Sequence, residues 1–210
     1  GHPAFSFEQI AAQGFFSVKA HANGIDIHYE VSGSGPWVTL SHSLFCDRTM
    51  WDPQMAALEH HFSVLRFDTR GHGKTDAPAG AYTLAQMAGD VIGLLNALKI
   101  ERTHFVGLSM GGMIGQHLAL KVPQRIDRLV LADTAARFPP EAQALWPERI
   151  RIAAEQGTAA LAESTLARWF TAPYRAAHPE VMARIAALIN ATPVAGFIGC
   201  AQAIPSVDTL

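Results

Sequence analysis

Gly107-Leu108-Ser109-Met110-Gly111 places a hydroxyl between two glycines at the spacing G-x-S-x-G. A short apolar run, Thr103-His104-Phe105-Val106, precedes it, and a helix-like stretch, Met113-Ile114-Gly115-Gln116-His117-Leu118, follows. Strand, sharp turn and helix form the setting in which a serine is held strained with its hydroxyl clear of the sheet, the flanking glycines making room for neighbouring backbone. The alternative is a glycine-rich turn that merely packs, and the strand-to-helix position favours a nucleophile. A serine hydroxyl also needs a base, a group that orients the base, and donors for the developing oxyanion. The backbone N–H of Met110, next after the serine, is one expected donor. The second is expected from the loop Ser41-His42-Ser43-Leu44-Phe45, from the N–H of Leu44.

The base is harder to find. Downstream of Ser109 the histidines are His117 and His178. His117 lies two turns along the helix and cannot face the hydroxyl, whereas His178 stands before Pro179 and reads as a helix-opening residue. Upstream, His42 reads as shaping the loop, and His72, in Asp68-Thr69-Arg70-Gly71-His72-Gly73, as part of a tight glycine-rich turn. Asp133 reads as a hydrogen-bonding residue at a strand end. The sequence therefore reads as stopping before its base.

The elements that must position these residues alternate. Residues 15–31 read as a hairpin from Phe16-Ser17-Val18 through Asn23-Gly24 to Ile25–Val31, because Asn-Gly tolerates the positive φ angles of a two-residue turn. Trp37–Leu40 and Val64–Phe67 read as strands, and between them Asp52 caps a helix opened by Pro53 and running to about His60. Thr83 caps a helix whose Leu84, Met87, Val91, Leu94, Leu95 and Leu98 recur at helical spacing. The Ser109 strand, its helix to about Lys121 and a strand Leu129–Ala132 follow. The alternation predicts an α/β fold: a doubly wound, mostly parallel sheet with an antiparallel hairpin at its start and catalytic groups at the carboxyl ends of strands. After Pro139-Pro140 the pattern turns helical: 141–156, 158–170, 179–190 and 194–203. The expected division is a core over 1–138, a helical cap over 139–204 and the start of a return to the core over 205–210.

The 210 residues are 49% hydrophobic, enough for a substantial core, and the net charge of -2 argues against nucleic acid or an anionic membrane as partner. Two distant cysteines suit a reducing, cytoplasmic setting without a disulfide or metal. Glu8 and Gln9 stand where a signal peptide would be apolar, and no apolar run approaches membrane-spanning length.

With these residues in view the sequence resembles the α/β-hydrolase family, and within it the 3-oxoadipate enol-lactonases. The likeness is carried by Leu40-Ser41-His42-Ser43-Leu44, Met50-Trp51-Asp52-Pro53-Gln54, Phe67–Gly73, Gly107–Gly112 and Leu129–Arg137. It implies hydrolysis of a small enol-lactone acid in aromatic-compound catabolism through an acyl-enzyme on Ser109, without metal or organic cofactor. The substrate's carboxylate calls for a cation, and the candidates are Arg149 and Trp146 in the first cap helix; the alternative is a solvated Arg149 and a core Trp146. The family pattern continues with two strands bearing an aspartate and then a histidine, and Asp208 comes too early to be that aspartate. A fragment, a second polypeptide completing the sheet and a degenerate, inactive hydrolase all remain open. A homo-oligomer is compatible with each, and a general carboxylesterase or a non-catalytic pseudoenzyme is the rival reading.

Overall fold

A computed structural model describes residues 18–210 of the chain. β1 (Val18–Ala22) and β2 (Ile25–Gly33) form the expected hairpin. Asn23 and Gly24 take φ of 50° and 79°, the paired positive values of a tight two-residue turn. Phe16 and Ser17, assigned above to the first strand, lie outside the described residues.

β3 (Trp37–Ser41), β4 (Ser63–Phe67), β5 (Thr103–Leu108) and β6 (Ile126–Ala132) complete a six-stranded sheet in the order β1-β2-β4-β3-β5-β6. β1 and β2, and β2 and β4, pair antiparallel; the remaining neighbours are parallel. Central β4 is buried along its whole length because both sheet faces are covered. On one face Ile27, Leu65, Phe67 and Phe105 pack against α2 (Leu84–Ala97) and α3 (Met110–Lys121). On the other, Val38, Leu40 and Val64 pack beneath Trp51 and Met55. That second cover is thin because α1 (Asp52–Leu58) has only seven residues. It runs out toward β6, the last strand of the sheet, where Val130 is 51% exposed; Leu131, on the opposite face, is 42% exposed.

Thr83 caps α2 as expected, its hydroxyl accepting from the Gln86 N–H at 3.0 Å. Asp52 does not cap α1. A 3₁₀ turn, Arg48–Trp51, runs straight into α1, so Asp52 is already helical and its carboxylate accepts from Arg66 at 2.5 Å. The buried Arg66 guanidinium needs acidic partners, and Asp52 and Glu30 supply them.

The helical block is more broken than its periodicity suggests. The predicted 141–156 helix is two pieces, α4 (Pro140–Gln143) and α5 (Trp146–Gln156), interrupted where Pro147 cannot donate to an i−4 carbonyl. Residues 158–170 open as a 3₁₀ turn before α6 (Ala162–Trp169). The stretch Thr171-Ala172-Pro173, which falls between the predicted helices 158–170 and 179–190, starts α7 (Ala172–Ala177), because proline fits a first helical turn. α8 (Pro179–Ala191) and α9 (Val194–Ala203) follow. The last residues return to the end of β6: Asp208 bridges Arg137 and accepts from its guanidinium at 2.7 Å. Among the described residues, no single helix is long and apolar enough to cross a membrane.

Candidate active site

Ser109 stands between β5 and α3 at φ 52°, ψ −113°, a backbone conformation that costs an L-residue energy and persists only where its surroundings impose it. They do so through the main chain. The Ser109 N–H donates to the Ala132 carbonyl of β6 at 2.9 Å, and the Ser109 carbonyl accepts from the Met113 N–H at 3.1 Å and the Thr134 hydroxyl at 2.7 Å. The flanking glycines are required by space. A Cβ on Gly107 would sit 2.2 Å from the Gly111 carbonyl oxygen, and one on Gly111 would sit 2.3 Å from the Ser41 carbonyl oxygen. Ser109 lines a cavity of about 570 Å³, and its hydroxyl has no hydrogen-bond partner among the described residues.

The two backbone N–H groups expected as donors belong to the residue that follows Ser109 and to a residue lining the same cavity. Met110 is the first residue of α3, where an N–H has no intrahelical acceptor. Leu44 lines the cavity in the loop after β3, and its N–H is likewise free among the described residues. That loop is held from below by two buried histidines, each bonded to backbone. The His42 Nδ1–H donates to the Ser43 carbonyl at 2.8 Å while its Nε2 accepts from the Thr69 N–H at 2.9 Å. His72 Nε2 accepts from the N–H of Phe45 at 3.1 Å, and Phe45 itself has a φ of 67°. An Nε2 that accepts must be unprotonated, so both rings are neutral. Burial agrees: it pushes His42 below the usual histidine range, and burial with the neighbouring His42 pushes His72 down to about 3. Beneath them lies Asp68. Burial alone would raise its carboxyl, but the N–H groups of Lys74 and Arg48 hold it below the ordinary value.

Trp146 and Arg149 both line the cavity, and the Arg149 guanidinium lies 4.5 Å from the centre of the Trp146 ring. Arg149 is thus no solvated helix-face residue. One of its terminal nitrogens is buried without any hydrogen-bond partner, and burial, then the nearby Arg168, lowers its pKa to about 10.

Asp133 needs correction. It makes no hydrogen bond among the described residues; it is exposed, has a φ of 42° and lines the cavity beside Ser109. The turn that leads the chain out of β6 swings it away from the strand-end bonding expected of it. Arg168 and Trp169, from the far end of α6, also line the cavity and were missed. The only sequence signal for Arg168 is negative: no acid stands three or four residues away, in contrast to Arg151, flanked by Glu148 and Glu155. No histidine lines the cavity among the described residues. His117 lies along α3, and His178 precedes α8 with its ring 4.2 Å from that of Tyr174. Cys46 does line it, but burial pushes its thiol up to about 12, far from a reactive thiolate.

A strained serine after a strand, glycines that no larger residue can replace, and a sheet ordered in this way define a class of protein. Residues 36–210 match the alpha/beta hydrolase fold family, and the chain belongs to it. It is 34% identical over 189 residues to 3-oxoadipate enol-lactonase 2 of Acinetobacter baylyi, an alignment spanning 89% of this chain and 70% of that protein. The crystal structure of the enol-lactonase from Burkholderia xenovorans LB400 superposes with a TM-score of 0.86 at 46% identity, covering 90% of this chain and 74% of that one. A thermophilic esterase from Thermogutta terrifontis superposes equally well, at 0.86 with 31% identity, covering 92% of this chain and 74% of its own. The family and these relatives make the protein a hydrolase.

Proposed function

We propose that the protein is a serine hydrolase that opens a small, carboxylate-bearing enol-lactone, a reaction belonging to the breakdown of aromatic compounds. The observation that carries the reading is Ser109, strained at φ 52° with an unbonded hydroxyl on the cavity. Its Oγ attacks the ring carbonyl carbon as its proton passes to a base. The Met110 and Leu44 N–H groups hold the oxyanion, a donor of this kind lowering the barrier by about 3 kcal/mol. Collapse breaks the ring C–O bond; the enolate oxygen leaves, takes the proton back and ketonises. Water then hydrolyses the acyl-enzyme, releasing the new carboxylate and restoring the serine. Arg149, stacked on Trp146, holds the substrate's own carboxylate. The chemistry needs no metal or organic cofactor.

The base and its orienting acid come, in this reading, from further polypeptide packed on the β6 edge. Support comes from the exposure of Val130 and Leu131 there and from the lack of a cavity histidine among the described residues. A general carboxylesterase is the second reading, favoured by largely apolar walls such as Leu44, Met50 and Phe138 and by the likeness to the esterase. A fluorophosphonate probe on the intact enzyme tests the nucleophile: it is expected to modify Ser109, and Ser109→Ala is expected to abolish labelling. Labelling unchanged in that variant refutes the assignment. Relative rates on the enol-lactone and on uncharged esters separate the two substrates.

A further inference from the structure

We propose that Thr134 is a positioning residue whose hydroxyl aims the Met110 N–H at the oxyanion, acting through the rigid peptide between Ser109 and Met110. The inference rests on the hydrolase reading above and adds to it a residue from outside the nucleophile turn.

The Ser109 carbonyl and the Met110 N–H belong to one planar trans peptide, so they point in opposite directions and turn together. Whatever holds the carbonyl therefore sets the direction of the donor. Two groups hold it. The Met113 N–H donates to it at 3.1 Å as the first bond of α3, and the Thr134 hydroxyl donates at 2.7 Å from the segment after β6. A single bond would leave the peptide plane free to rock about it, the more so because Ser109 has a ψ of −113°, far from the helical value of about −42°. The hydroxyl supplies the second anchor.

Several features place that hydroxyl. Asp133, at φ 42°, bends the chain sharply at the end of β6 and turns the next residue back toward Ser109. Gly112 leaves the space: a Cβ there would lie 2.7 Å from the Thr134 Cβ and 2.8 Å from its Oγ1. Gly107 and Gly111 are hemmed in by backbone, whereas the nearest atoms to Gly112 all belong to this one side chain, so its smallness serves Thr134. The segment is also clasped from two sides. Gln116 of α3 donates its side-chain amide to the Ala135 carbonyl at 3.1 Å, and the Thr209 N–H donates to the Ala136 carbonyl at 3.0 Å. The Thr209 hydroxyl donates in turn to the Gln116 amide oxygen, which ties the two clasps together. A loop bonded at 135 and 136 has little freedom at 134. The Met110 donor is thus aimed before substrate arrives, the preorganisation on which oxyanion stabilisation depends.

The test replaces Thr134 in the intact enzyme by Val, which keeps the shape without the hydroxyl, and by Ser, which keeps the hydroxyl. Turnover of p-nitrophenyl acetate and the rate of fluorophosphonate labelling are read well below the unfolding midpoint, which thermal unfolding supplies for each variant. Removing an oxyanion donor outright costs about 10²–10³ in kcat, and tilting one costs part of that. Thr134→Val is therefore expected to lower kcat and the labelling rate about ten- to a hundredfold with KM little changed, and Thr134→Ser to recover most of the loss. A residue that only stabilised the loop would lower the unfolding midpoint and leave kcat alone. An unchanged kcat in Thr134→Val, or a Thr134→Ser variant no faster than Thr134→Val, overturns the proposal. If Thr134→Val does not fold, Thr134→Ala carries the same test. Ser109→Ala runs alongside: activity that survives it refutes the nucleophile, whereas activity that requires Ser109 but not the Thr134 hydroxyl refutes the positioning role alone.

Discussion

Acidification should destabilise this protein through His72, by an amount that follows from its surroundings. The ring is fully buried, accepts the Phe45 N–H on Nε2, and has its pKa pushed from 6.5 down to about 3 by burial and by His42. In the unfolded chain the same ring protonates near 6.5. The folded value is the depressed one, so the associated stability is full above pH 6.5 and is lost progressively as the pH falls toward 3. At pH 4.5, two pH units below the unfolded value, the loss from this one residue is about 2.7 kcal/mol. Asp68 does not confuse the window, because its pKa already lies below the ordinary 3.8 and its own contribution fades only at lower pH. Urea unfolding followed by circular dichroism at pH 7 and 4.5 measures the effect in wild type and in His72→Gln, whose amide oxygen can accept the Phe45 N–H without titrating. The variant is expected to be less stable at pH 7 but to lose roughly 2–3 kcal/mol less than wild type on acidification. Equal pH dependence in the two proteins would refute the neutral, acceptor-only role of the ring.

Three further outcomes follow from the geometry. Gly107→Ala forces a methyl to within 2.2 Å of the Gly111 carbonyl, and since only backbone could move, a cost of at least about 1–3 kcal/mol and loss of Ser109 labelling are expected, by denaturation and probe reactivity. Asp90→Ala strands the Arg70 guanidinium, whose side chain is 3% exposed, and should cost about 3–5 kcal/mol, read as a lowered unfolding midpoint. Val130→Lys places a charge on the exposed edge strand and should reduce concentration-dependent association of residues 1–210 in light scattering; an unchanged profile would mean that this edge does not drive association.

Much of the scaffold was legible because its determinants lie within a few residues of one another. Asn23-Gly24 dictates a tight turn by backbone freedom alone, Thr83 caps the helix beside it, and the spacing Leu84, Met87, Val91, Leu94 puts one face of α2 on the sheet whatever the sheet's other contents. The glycines two residues either side of Ser109 belong to the same group, since their necessity arises from a strand and helix meeting at one bend. The likeness to enol-lactonases was visible for the same reason, in short continuous motifs. The block after Pro139 was legible as helical but not in its breaks, because prolines that open a helix and prolines that stop one look alike until the preceding turn is seen.

What only the tertiary structure decided are the relations between distant positions. Asp52 reads as a cap and instead serves an arginine on β4; Asp133 reads as a bonded strand end and instead faces the cavity; Arg168 carries no sign of a role in the sequence and lines the same cavity as Arg149. Local sequence specifies how each segment bends and which face it buries, because sterics and hydrogen bonding act over a turn or two. Which charges end up facing one another depends on how those segments pack, and the resulting field around Ser109 is a property of the packed whole.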